Sequence, residues 1–186
     1  MKRLGSLLAL TVMIAGCTST PPGPAPAAPA APEPKAYATL GKLMRAIPFP
    51  ASNIIFDAQS TDPGAKPAEG SGVGATAQYA SVYGGWEAVE NAALAIQETA
   101  NLIVIPGRSC MNGKPVPSDQ EDFKKWAADL AVAGEAALKA AQSKNLDAMV
   151  EVAGTVSDAC AACHDKYRET PDGGIDGRCN PAAAAK

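Results

Sequence analysis

The stretch Cys160-Ala161-Ala162-Cys163-His164 contains the one histidine of the chain, placed directly after a Cys-x-x-Cys pair. On a helix, positions three apart differ by about 60° around the axis and positions four apart by about 40°, so both thiols and the imidazole share a face within about 6 Å of rise. Two reduced thiols so placed can add to the two vinyl groups of a haem, and the imidazole can then stand under its iron. Cys-x-x-Cys-His is the attachment signature of haem c. The expectation is one covalent haem c, anchored by Cys160 and Cys163, with His164 as proximal metal ligand. Other uses of these residues fit less well. A zinc site needs four ligands, and only Cys110 and Cys179 remain to complete one. A thioredoxin-like pair wants a strand–loop–helix context. A disulfide between two helical residues at this spacing is strained.

The elements that must position this motif read as helices. The chain has 186 residues, enough for one domain with a real core, and aromatics make up only 5% of it. Abundant alanine favours helices packed closely through small side chains. The net charge of −3 gives no sign of a nucleic-acid partner. A first helix is predicted over 36–47, with Tyr37, Leu40, Leu43, Met44 and Ile47 at helical spacing, ended by Pro48 and Pro50. A Gly/Pro-rich connection to residue 74 follows, interrupted by the apolar patch NIIFDAQ at 53–59. A second helix is predicted over 75–105, striped by Tyr79, Tyr83, Trp86, Val89, Ala93, Ile96, Ala100 and Ile103 and weakened at Gly84-Gly85. The third starts at Ser118, where SDQE reads as a capping box. Its face is Phe123, Trp126 or Ala127, Leu130, Ala133 and Ala141. The fourth spans 146–168 behind Asn145 as cap, with Leu146, Met149, Val150, Ala153, Val156, Cys160, Cys163 and Tyr167 on one face. No segment alternates with period two. The fold class expected is all-α, an antiparallel four-helix bundle.

A haem c motif near the end of a four-helix chain resembles the class II cytochromes c, the cytochrome c-prime family and its low-spin relatives. The family pattern Cys-x-x-Cys-His-x-x-Tyr-Arg is matched by Cys160, Cys163, His164, Tyr167 and Arg168, and the resemblance covers roughly residues 36–168. It implies a basic residue near the proximal haem face one turn after the histidine, the place held by Arg168. The alternative is a solvated charge that the helix dipole favours at a C-terminus anyway. It also implies a sixth ligand, or a blocking apolar residue, from the first helix. Members with a bound methionine are low-spin electron carriers, and members without it keep an open iron that binds NO or CO.

The residues bear on that sixth position independently. His164 is the only histidine, so methionine is the remaining common partner. Met149 lies about 22 Å along the axis from His164 on the same helix and cannot reach. Met111 falls in a loop. In an up-down-up-down bundle the end of helix four meets the start of helix one, and Met44 is about 12 Å up that helix. Met44 is therefore the candidate distal metal ligand, the alternative being core filling. One-electron transfer with redox partner proteins is the function expected, and gas binding by a five-coordinate haem is the other reading. An enzyme is not expected, since peroxidase chemistry would want a distal histidine. Relatives dimerise through helices one and two, which leaves a homodimer open.

The N-terminus reads as a processing segment. Met1-Lys2-Arg3 is basic, an apolar run of about a dozen residues follows, and MIAGC at 13–17 resembles a bacterial lipobox. The expected division is a lipoprotein signal peptide over 1–16, lipidated Cys17 with a Pro/Ala-rich tether over 17–35, the cytochrome domain over 36–168 and a tail over 169–186. Loss of Lys2 and Arg3 would take the net charge from −3 to −5. Eighteen polyproline-like residues could lift a domain roughly 55 Å off a membrane. Thr18 in place of an aspartate points to the periplasmic side of an outer membrane. In an exported protein free thiols are unusual, and Cys110 and Cys179 both fall at the haem end. A disulfide between them is expected, worth roughly 3–4 kcal/mol through the loop it closes. Arg108, beside Cys110, is then a candidate haem-propionate partner or an ordinary loop arginine.

Overall fold

Pro48 and Pro50 end the first helix as expected, and a second helix opens on them to continue the first rod of the bundle. Helix α1 runs over Leu40–Ala46 and α2 over Pro48–Asp57, with Ile47 as C-cap of one and N-cap of the other. The prolines fall in the first turn of α2, where a backbone N–H has no intrahelical acceptor to lose and the fixed φ already suits a helix. The connection expected after residue 47 is corrected accordingly. The patch at 53–59 is the second half of α2 and the turn after it, with Ile55 and Ala58 buried in the core.

The computed structural model describes residues 32–65, 80–170 and 177–180. The signal segment, Cys17 and the tether as far as residue 31 lie outside the described residues, as do 66–79, where the second helix was expected to begin. From Glu33 onward the described residues form one compact unit. None of its helices is long and apolar enough to cross a membrane.

The second rod is α3, Ala80–Tyr83, followed by α4, Gly85–Ile103. The weak point at Gly84-Gly85 becomes a break. Gly85 has φ +59°, and a Cβ on it would sit 3.0 Å from the Pro63 carbonyl oxygen. The third and fourth rods are α5, Glu121–Gln142, and α6, Leu146–Tyr167. Ser118 does not cap α5, because Ser118 and Gln120 N–H groups donate to Val116 and Pro117 carbonyls in a preceding turn. Gln120 is the N-cap instead. Asn145 caps α6 as expected, accepting from Ala148 N at 3.0 Å.

The rods form an antiparallel four-helix bundle, with α4 packed most extensively on α5, α5 on α6, and α2 against both α4 and α6. Among the described residues there is no strand, only an isolated bridge between Ser109 and Pro115. Helix α4 buries Val89, Ala92, Ala93, Ile96, Thr99, Ala100 and Ile103, and α5 buries a stripe of five alanines with Phe123, Leu130 and Gly134. A Cβ at Gly134 would come within 2.7 Å of Gln97 N, so here one helix touches the backbone of the other. Small side chains permit that approach, and close packing replaces the missing aromatic bulk. The expected stripes need five corrections: Tyr37, which precedes α1, Tyr83, Leu146 and Val150 are exposed, and Val152 is buried.

Candidate haem-attachment site

Helix α6 is fixed in its first half by Met149, Val152, Ala153 and Val156, all buried. Its last two turns carry Cys160, Cys163 and His164, each half-buried. Both thiols are free. Burial disfavours the thiolate and raises both. Cys163 is pushed up to about 11, with the nearby Cys160 and the Asp122 carboxylate adding to the effect. Burial also lowers His164, helped by the Arg168 charge and opposed by Asp165. The imidazole therefore stays neutral, the form that binds a metal.

The end of α6 is clamped to the start of α5. Tyr167 is buried, edge-on to Phe123 and Trp126 with ring centroids 5.2 and 5.6 Å away. Its hydroxyl donates to Asp122 Oδ1 at 2.8 Å. The Lys166 ammonium takes the other carboxylate oxygen, and the Phe123 N–H donates to Oδ1 at 2.9 Å. The Lys166 hydrogen bond is the main cause that holds the Asp122 carboxyl below its usual range.

A second clasp joins the α4–α5 loop to the tail. Cys110 and Cys179 are bonded in a buried disulfide, 69 residues apart. Around it, the Asn112 amide donates to the Gly177 and Arg178 carbonyls, the Asn180 amide donates to Pro115 O, and Met111 N–H donates to Glu169. The Glu169 carboxylate and both disulfide sulfurs lie within 4.8 Å of one another, but the sulfurs are bonded to each other and offer no metal site. The tail then returns to the motif. Cys179 N–H donates to Tyr167 O at 3.0 Å, and Arg178 Nη1 donates to His164 O and Asp165 O at 3.2 and 2.6 Å.

The remaining expected site residues fall in different places. Arg168 is exposed at the C-cap of α6, close enough for its charge to act on His164. Met44 is half-buried on α1 and packs against the core. One turn before it, a Cβ at Gly41 would collide with the Glu169 carboxylate and the Met111 thioether. Residues from the loop and from the end of α6 thus meet the start of α1, and Met111 brings a second thioether to that end. Arg108, read as a propionate partner or an ordinary loop arginine, lies in the loop after α4. It is buried, and its Nη1 and Nη2 donate to the Ala38 and Leu102 carbonyls, tying the approach to α1 to the end of α4. Asp122, Glu169 and Arg178 escaped sequence reasoning. Only Arg178 carried a signal, its position directly before Cys179.

The donor set fits a covalent haem. Two uncommitted thiols and a neutral imidazole share the last turns of one helix, and beside them the buried Arg178 Nε has no partner among the described residues. Neither the curated proteins nor the solved structures contain a match to the chain. Residues 114–168, from the α4–α5 loop to the end of the motif helix, match the family model of cytochrome c', and that similarity supports a c-type haem protein.

Proposed function

We infer that the chain holds one covalent haem c and serves in one-electron transfer outside the cytoplasm, as a carrier and not an enzyme. The observation that carries this reading is the pair of free, half-buried thiols set with His164 on a helix end clamped from two sides. Bound haem would supply an iron that gains and loses one electron. Cys160 and Cys163 would hold it through thioethers, and His164 would be the proximal ligand. Met44 would be the sixth ligand, raising the potential relative to a second imidazole. Arg168 would keep a positive charge on the proximal side.

The rest of the reading concerns surroundings. Cys17 would carry a lipid, with the protein on the periplasmic side of the outer membrane and the tether setting its distance. Redox proteins are the partners proposed, and a second copy of the chain is compatible with the bundle.

Visible spectra of the purified protein, oxidised and reduced, beside Met44→Ala and Met111→Ala, test the site. A low-spin spectrum whose far-red methionine–iron(III) band disappears in Met44→Ala is expected. Loss of the band in Met111→Ala alone would reassign the ligand. A high-spin spectrum indifferent to both would favour an open iron that binds NO or CO, and a chain purified without covalent haem would end the reading.

A further inference from the structure

Residues 177–179 make a turn that their own side chains disfavour. Gly177, Arg178 and Cys179 have φ of 66°, 43° and 57°, three successive left-handed residues of which two carry a Cβ. Left-handed backbone costs such a residue roughly 1–2 kcal/mol, and it persists where the surroundings over-determine it. They do so here on both sides. Cys179 is bonded to Cys110 through sulfur and to Tyr167 O through its N–H. The carbonyls of Gly177 and Arg178 accept from Asn112, and Asn180 is held on Pro115 O. What this strained turn achieves is the location of one guanidinium, on the carbonyls of His164 and Asp165.

Those carbonyls lie in the last turn of α6, where helical donors run out: His164 O keeps the Arg168 N–H, and Asp165 O has no backbone donor among the described residues. His164 O receives the Arg168 N–H at 3.2 Å and Arg178 Nη1 at the same distance. Asp165 O receives Arg178 at 2.6 Å, and Tyr167 O receives Cys179 N–H at 3.0 Å. A cation is favoured at this end of a helix dipole, and a charged donor makes the stronger hydrogen bond. Tyr167 and Asp122 fix the side chains of the last turn, while Arg178 and Cys179 fix its backbone.

We propose that Arg178 is the positioning residue of the proximal ligand: held by the disulfide-pinned turn 177–179, it locks the His164 and Asp165 carbonyls and so sets the orientation in which the His164 imidazole is presented to the iron. It acts through the backbone of His164. The proposal rests on the haem reading above, and it makes the Cys110–Cys179 bond a determinant of the haem's properties as well as of chain stability.

The test uses the haem-loaded protein as wild type, Arg178→Gln and Arg178→Lys, with reduction potential and amide hydrogen exchange as readouts. In Arg178→Gln the Arg168 amide, which donates to His164 O, exchanges at least about tenfold faster while the Ile96 amide in α4 keeps its rate, because only the local opening is altered. The reduced-to-oxidised ratio at a fixed poise falls by about threefold, or about 28 mV at 59 mV per tenfold for one electron. Arg178→Lys recovers part of both. Cleaving the disulfide in ferrous wild type with a trialkylphosphine reproduces the Arg178→Gln values, and in Arg178→Gln itself adds little. Unmoved potential and exchange in Arg178→Gln would overturn the proposal, as would a uniform rise in exchange over all helices, the mark of a merely structural role. Absence of the haem mass increment in wild type is seen before any variant is compared, and it would remove the haem reading and this proposal together.

Discussion

The Tyr167 hydroxyl donates to Asp122 Oδ1 at 2.8 Å across 45 residues of sequence, joining the last turn of α6 to the first turn of α5. Tyr167→Phe keeps the ring contacts with Phe123 and Trp126 and removes only this bond. It is expected to cost about 1 kcal/mol, read as a lower urea midpoint with an unchanged slope. An unchanged midpoint would mean the hydroxyl is no better placed than in water.

The same clamp predicts a pH dependence. Asp122 is held low chiefly by the Lys166 hydrogen bond, with Tyr167 and the Phe123 N–H adding to it and burial opposing. A carboxyl lowered in the folded state contributes stability that is fully present above its unfolded value, near 4, and is lost as pH falls through the folded one. The midpoint gap between wild type and Asp122→Asn should hold from neutral pH to about 5 and close below about 4. A gap that persists at lower pH would assign the effect to packing.

Arg108 is a brace between Ala38 and Leu102, and burial lowers its basicity without a carboxylate to offset it. Arg108→Leu should destabilise by about 3 kcal/mol, since two charge-assisted bonds go and the Ala38 carbonyl loses its donor, while Leu102 O keeps backbone N–H partners. Haem spectrum and potential should stay as in wild type. A shifted potential at constant fold would return Arg108 to the role of propionate partner.

The thiols can be probed on haem-free protein. With Cys163 pushed up to about 11, almost none of it is thiolate at neutral pH. Iodoacetamide labelling of Cys163, followed by mass spectrometry, should be slow at pH 7 and rise roughly tenfold per pH unit toward that value. Fast, pH-independent labelling would contradict a buried thiol.

What the sequence made legible were local features. Asn145 needs only its own N–H neighbour to cap α6, and the spacing of Val89, Ile96 and Ile103 needs only a helix to form a stripe. Pro48 and Pro50 end α1 where the sequence puts its end, but the helix they open reads as loop, because the same residue that stops one helix suits the first turn of the next. The SDQE box lost to a turn over 117–120 that local bonding favours. Asp122 and Arg178 stayed hidden for another reason. Each acts through partners more than ten residues away; nothing near Asp122 distinguishes it from a solvated charge, and Arg178 is marked only by its place before Cys179.

The disulfide also has a temporal side. A chain grows from its N-terminus, so Cys110 exists before Cys160 and Cys163, and Cys179 arrives after all three. Until Cys179 is made, the other sulfurs of cysteine in the chain are those of Cys17, Cys160 and Cys163, the last two being the pair proposed to hold haem. A thiol that is poorly ionised is a slow nucleophile, and once the bundle has packed, burial on α6 makes Cys160 and Cys163 such thiols. Once packed, α6 thus shields the two thiols proposed for haem, while Cys110 is bonded to the partner that emerges last.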